Sequence, residues 1–115
     1  MHLEVSLNRK VKELSYGQKR QLEVAIALCA EPKILLMDEP AAGTSPGERA
    51  KLVELVNELP AGLTMILVEH DMDVVFAVCD RITVLSYGQV LASGTKDEIR
   101  RNQDVRDAYL GRAHA

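Results

Sequence analysis

Aromatic residues are nearly missing from this chain, which has no tryptophan, one phenylalanine and three tyrosines among its 115 residues. Hydrophobic residues still make up 47%, so the core has to be built from aliphatic side chains. Cysteine is almost as scarce. Cys29 and Cys79 each sit inside an apolar run, without the paired spacing of a zinc site or a dithiol motif, and so read as buried thiols in a reducing cytosol. Long hydrophobic runs are lacking too. Stretches such as Ala25 to Ala30 or Met65 to Val68 are far too short to cross a bilayer, and the opening MHLEVSLNRK has no signal-peptide core. Membranes can then matter only through a partner. Nor is positive charge in excess: 14 Lys and Arg against 17 Asp and Glu leave a net charge of −3. That excludes a basic surface able to dominate contacts with a phosphate backbone, and no nucleic-acid partner is expected. Element-length repeats and low-complexity linkers are absent, and the composition fits one compact soluble domain.

What is present is a legible order of elements. Ser15 followed by Gln18 has the capping-box spacing and opens a helix from about Gly17 to Ala30, with Leu22, Ala25, Ile26 and Cys29 at helical intervals. Ile34 to Met37 form a short continuous apolar run between two prolines, a strand buried on both faces. A second helix has Ser45 as N-cap, Pro46 at its first position, Glu48 closing a capping box, and Leu52, Leu55, Val56 and Leu59 on one stripe. The stretch LTMILVEHD is another buried strand, followed by a short helix through Val74, Val75 and Val78. DRITVLSYGQVLASG alternates as a β-hairpin, Thr95 and Glu98 cap a short helix, and a last helix runs from about Asp104 to Leu110, ended by Gly111. Strand, helix, strand, helix is the order of a parallel α/β layer.

The pentapeptide LSYGQ occurs twice, at Leu14 to Gln18 and at Leu85 to Gln89, in unlike contexts. The first opens a helix, whose free N–H groups and dipole suit an anion, and Gly17 permits close approach to a phosphate. Lys19 and Arg20 in that first turn oppose the dipole and could favour an anionic ligand. The second copy sits between strand residues, where Gly88 supplies the positive φ of a hairpin turn. Asp38 and Glu39 lie at the C-terminal end of the first strand, where open α/β sheets place their ligands, and His70 ends the second. Two adjacent carboxylates could hold Mg²⁺ and activate a water. The bland readings are a surface turn for the acids, and a turn at a helix start for His70, with Asp71 as N-cap.

Taken in order, these segments resemble the ATP-binding-cassette ATPases. LSYGQ at Leu14 to Gln18 is similar to the family signature, ILLMDE to Walker B, AAGTSP to the D-loop and EHD to the switch-histidine loop. The likeness runs from about Val11 to Gly111, and LSYGQ, DEPAAG and AYLG together look most like ATPase subunits of importers for branched-chain amino acids, with related amide and urea importers close behind. The resemblance implies an α/β P-loop (RecA-like) three-layer fold, incomplete here, with parallel strands, flanking helices and a C-terminal β-hairpin. Its parts would be a signature helix at about 15–30, a Walker B strand at 34–38, a D-loop at 41–46, a switch strand at 63–70, the hairpin at 81–93 and C-terminal helices at 96–110. By the same resemblance, Asp38 would position Mg²⁺ through water, Glu39 would be the general base, and His70 would contact the γ-phosphate of ATP. Ser15, Gly17 and Gln18 would face the γ-phosphate held by the opposite subunit of a head-to-tail dimer. Transmembrane permease subunits would be the further partners, placing the protein on the inner face of a bacterial cell membrane.

The chain also departs from that pattern. No Gly-x-x-x-x-Gly-Lys-Ser/Thr occurs, since none of the seven glycines precedes a lysine, so the main phosphate cradle is absent. The family's adenine-stacking aromatic and Q-loop, which precede the signature, are absent as well. Thr44 and Ser45 stand where the wider family usually has Leu-Asp. The expectation is the C-terminal half of a cassette, inactive as an isolated chain. In the family's sheet order, the missing Walker A strand leaves a central gap flanked by Met65, Ile66, Ile82 and Val84. The gap would close by rearrangement, be filled by another copy, or be filled by the absent N-terminal half. Two alternatives are a non-catalytic fragment or interaction module, and a piece of a non-transport cassette ATPase of the DNA-repair kind. The absence of heptads and the acidic balance count against the latter.

Overall fold

The computed structural model describes residues 8–110, Leu110 by its backbone alone. In place of the single compact unit expected, the chain divides between His70 and Asp71 into two. The first contains a 3₁₀ turn (Val11–Glu13), α1 (Tyr16–Leu28), β1 (Ile34–Asp38), α2 (Pro46–Asn57) and β2 (Thr64–Val68). The second contains α3 (Met72–Val78), β3 (Arg81–Ser86), β4 (Gln89–Thr95), α4 (Lys96–Arg101), α5 (Gln103–Val105) and a π-helical turn (Arg106–Leu110). Among the described residues each unit has one two-stranded sheet, parallel in the first and antiparallel in the second.

In the first unit both helices start as their sequences dictate. Ser15 accepts the Gln18 N–H and Gln18 answers at the Ser15 N–H, while Ser45 and Glu48 do the same around Pro46. The core is aliphatic: Leu35 and Met37 of β1, Val24 of α1 and Leu52, Leu55 and Val56 of α2 are buried. Val24, Leu35, Met37 and Leu52 converge on a cavity of about 140 Å³.

β1 and β2 are exposed on one face, which corrects the expectation of strands buried on both. In the parallel register Leu36 lies opposite Ile66 and Asp38 opposite Val68. Period-two alternation then puts Ile34, Leu36, Ile66 and Val68 on one face, where they are 52–71% exposed. A parallel sheet is apolar on both faces because both are normally covered; here the helices cover only the side of Leu35 and Met37. The inward stripe of α1 also differs. Val24 faces the core, whereas Ile26 is exposed and Cys29, at the C-cap, is an exposed thiol and not a buried one. VAIALCA, from Val24 to Ala30, is apolar all round, so periodicity could not select its inward face.

In the second unit Asp71 caps α3 by accepting the Asp73 and Val74 N–H groups. The hairpin buries Ile82 and Val84 against Val75, Ile99 and Val105, with Phe76, Cys79, Leu91, Ala92 and Tyr109 packed around them. Its two-residue turn has Tyr87 at φ 50° and Gly88 at φ 75°, both left-handed, as tight hairpin turns of this twist require. Burial and the neighbouring Asp80 push the Cys79 thiol up from its ordinary value. Tyr109 donates its hydroxyl to the Leu85 carbonyl, and the Arg100 guanidinium lies 4.7 Å from the centre of the Phe76 ring. Gly111, expected to stop the last helix, lies outside the described residues.

The bare sheet face gives a contrast that chemical denaturation and dye binding can read. Replacing Leu36 and Ile66 together by threonine should change stability by no more than about 0.5 kcal/mol per site and lower the binding of a hydrophobic dye. Leu52→Ala, at a residue 4% exposed, should cost about 2–5 kcal/mol. Equal losses in the two variants would mean that the face is covered in solution.

Candidate functional site

The residues singled out by sequence gather in two clusters of the first unit. The first forms where β1 and β2 end together. Parallel pairing in register brings Asp38 beside Val68, and the ladder continues one step further, with the Glu39 N–H donating to the Val68 carbonyl at 2.7 Å. Glu39 has φ 45°, a left-handed conformation that costs a non-glycine residue on the order of 1 kcal/mol. There its carboxylate oxygen Oε1 meets His70 Nδ1 at 3.2 Å. Both side chains are open to solvent, Glu39 by 50% and His70 by 71%. Asp38, exposed at the strand end, completes the set.

Sequence reasoning passed over a third acid here. The Glu69 side chain is wholly shielded from solvent. Its Oε2 accepts the Ala41 N–H at 3.2 Å, and its Oε1 accepts the His70 N–H at 3.0 Å and lies 3.6 Å from His70 Nδ1. The signal available was the strand period: Glu69 follows Val68 in a strand whose odd-numbered residues, Met65 and Leu67, point toward the covered side.

The second cluster surrounds the start of α1. Ser15, Gly17 and Gln18 line a small pocket of about 80 Å³ with Gln21, Glu48 and Lys51. The Gly17 N–H donates to Glu48 Oε2, and the Ser15 hydroxyl reaches the same oxygen at 3.4 Å. An added Cβ at Gly17 would lie 2.0 Å from that oxygen, so a side chain there requires the Glu48 carboxylate to move. The anion position expected at this helix start is therefore filled by the chain's own carboxylate. Glu48 is held below the usual glutamate range by hydrogen bonds from Ser45, with those from Gly17 and Ser15 adding to them. In sequence Glu48 showed only its capping-box role within α2.

Arg20, expected to favour an anion at this site, is turned elsewhere. Its guanidinium stacks on the Tyr16 ring at 5.1 Å, bonds the Tyr16 hydroxyl at 2.6 Å and approaches Glu23 at 3.5 Å. Between the clusters runs the D-loop candidate. Thr44 closes its turn onto the Ala41 carbonyl at 2.6 Å, and Gly43, at φ 73°, passes so close to Tyr16 that a Cβ would lie 3.3 Å from the ring.

Among the described residues no three His, Cys, Asp or Glu side chains group into a metal cage. Asp38 is a single exposed carboxylate at the strand end, an oxygen donor of the kind a hard divalent cation takes. Among the described residues no helix is long and apolar enough to cross a membrane.

Two family models match the chain: ABC transporter over residues 1–42, and branched-chain amino acid ATP-binding cassette transporter over residues 89–115. The high-affinity branched-chain amino acid transport ATP-binding protein LivG of Salmonella typhimurium is 48% identical over 92% of this chain. The corresponding protein BraF of Pseudomonas aeruginosa is 45% identical over the same share. The crystal structure of the ADP conformation of MJ1267, an ATP-binding cassette of an ABC transporter, superimposes on 90% of the chain with a TM-score of 0.78 and 36% identity. In each case the chain spans only 42% of the length of the protein it matches.

The Glu48 contact makes a pH-dependent prediction. A carboxylate whose folded-state pKa is depressed stabilises the fold above its unfolded pKa, and that contribution is lost as pH falls through the folded pKa. The Gly17 amide resonance should therefore shift with an inflection below the ordinary glutamate value of about 4.3. In Glu48→Gln the inflection should vanish. An unchanged titration in that variant would assign the shift to another acid.

Proposed function

We infer function from the premise that the chain belongs to the ATP-binding-cassette transporter family and has the α/β fold of P-loop nucleotide-binding proteins. On this reading it is part of the ATP-hydrolysing subunit of an importer for branched-chain or related amino acids. The observation that carries the chemistry is the Glu39–His70 pair, 3.2 Å apart at adjacent C-terminal ends of two parallel strands. Ligands of open α/β sheets bind at such ends.

Each residue then has a task in hydrolysis, which for phosphoryl transfer is mostly positioning and electrostatics. Glu39 orients the attacking water and accepts its proton. His70, fixed beside it, contacts the γ-phosphate. Asp38 would hold Mg²⁺ through water, and the bound ion would draw charge from the phosphate oxygens. Ser15, Gly17 and Gln18 would meet the γ-phosphate of ATP held by a second, head-to-tail ATPase subunit. For that, the Glu48 carboxylate has to leave the Gly17 N–H, because two anions cannot share one donor. The main phosphate cradle does not occur in these 115 residues and would come from the sequence that completes the cassette. Permease subunits would carry the solute and hold the assembly at the inner face of the membrane.

The test joins this sequence to an upstream cassette half bearing Walker A and measures ATP hydrolysis. The completed protein should turn over ATP, and Glu39→Gln should lower kcat at least about 100-fold while bound ATP persists. Undiminished hydrolysis in the variant would remove Glu39 from the role of base.

A further inference from the structure

An exposed pair such as Glu39 and His70 contributes too little to hold its own geometry. Something shielded from solvent has to fix both partners, and the peptide donors around Glu39 identify it. Pro40 has no N–H, so the segment Glu39 to Ala41 offers two backbone donors. Both go to consecutive residues of the neighbouring strand end: the Glu39 N–H to the Val68 carbonyl and the Ala41 N–H to Glu69 Oε2. The other oxygen of Glu69 takes the His70 N–H and faces His70 Nδ1. One shielded carboxylate thus ties the backbone just beyond Glu39 to the backbone and ring of His70.

We propose that Glu69 is a positioning residue: it fixes the Glu39 turn and the His70 imidazole against each other, with the imidazole proton on Nδ1 and Nε2 left for a group outside the pair. The proposal rests on the ATPase reading for its role in hydrolysis, though not for its geometry. A carboxylate suits the position because it offers an acceptor oxygen to each N–H. Glutamine would offer one oxygen and turn an NH₂ toward the other donor. The tautomer of an imidazole follows the hydrogen bonds of its ring nitrogens, here Nδ1 to Glu39 Oε1 at 3.2 Å, and losing the anchor that places the two partners should loosen that bond and release it.

The experiment is a long-range ¹H–¹⁵N spectrum of the imidazole nitrogens of the 115-residue chain, assigned with His70→Asn and recorded at about pH 8.5, above the ordinary imidazole range. The wild-type chain should show His70 protonated at Nδ1. Glu69→Gln should shift it toward the Nε2–H form and speed exchange of the Ala41 amide at least about tenfold. A role in stability alone would leave the tautomer unchanged, and that result overturns the proposal. If the variant does not fold, the wild-type spectrum decides, because an Nε2–H tautomer there overturns it equally. In the completed cassette Glu69→Gln should lower kcat about tenfold with KM for ATP unchanged, and an unaltered kcat would refute the positioning role. A wild-type cassette without hydrolysis but with the Nδ1–H tautomer would support the geometry and overturn the ATPase reading instead.

Discussion

Two parallel strands paired in register end at the same level, and the chemistry of the first unit depends on that alignment. β1 and β2 are each five residues long and pair from Ile34 opposite Thr64 to Asp38 opposite Val68, so Glu39 emerges beside Glu69 and His70. A slip of one residue would turn Leu35 and Met37 outward and send the Asp38 side chain toward the helices. The apolar packing of Leu35 and Met37, at 6% and 7% exposure, therefore sets the register that the polar groups at the strand ends rely on. Here the core acts on the site by fixing where the strands stop.

The features legible in sequence are those decided within a few residues. Capping boxes at Ser15 and Ser45, the Asp71 cap and the Tyr87–Gly88 turn each depend on side chains reaching their own backbone or on local φ, and the structure has them. What could not be read needed a partner far along the chain. Glu48 reaches Gly17 from 31 positions away, and Glu69 reaches Ala41 from 28. Periodicity is silent on such contacts. It also misled where a segment is apolar throughout, as in ILLM and VAIALCA: pattern alone says that such a segment is suited to burial and leaves open which of its faces this chain covers.

The two LSYGQ copies show how little five residues determine. At the first copy Ser15 is extended and caps a helix of 13 residues; at the second Tyr87 and Gly88 turn the chain back between β3 and β4. Flanking sequence decides between them. KRQLEVAIAL after the first copy sustains helix, whereas RITV before the second and VLAS after it supply the β-forming side chains that pair across a turn. An extended Ser15 leaves the amide of Gly17 pointing outward at a helix start, while the glycine of the hairpin only relieves strain.

Glu48 and Glu69 are both carboxylates accepting backbone N–H groups, yet their surroundings give them opposite characters. Glu69 is enclosed, and its two oxygens are tied to backbone donors on two chain segments, so moving it would strand donors away from water. Glu48 lines an open pocket at the start of α1, where one of its oxygens takes the Gly17 N–H and the other the Ser45 N–H. The difference lies in the side-chain surroundings, a shielded anchor at the strand ends and a carboxylate lining an open pocket at the helix start. On the proposed ATPase reading, the strand ends keep one geometry, whereas the helix start has to release Glu48 before a phosphate can take its place.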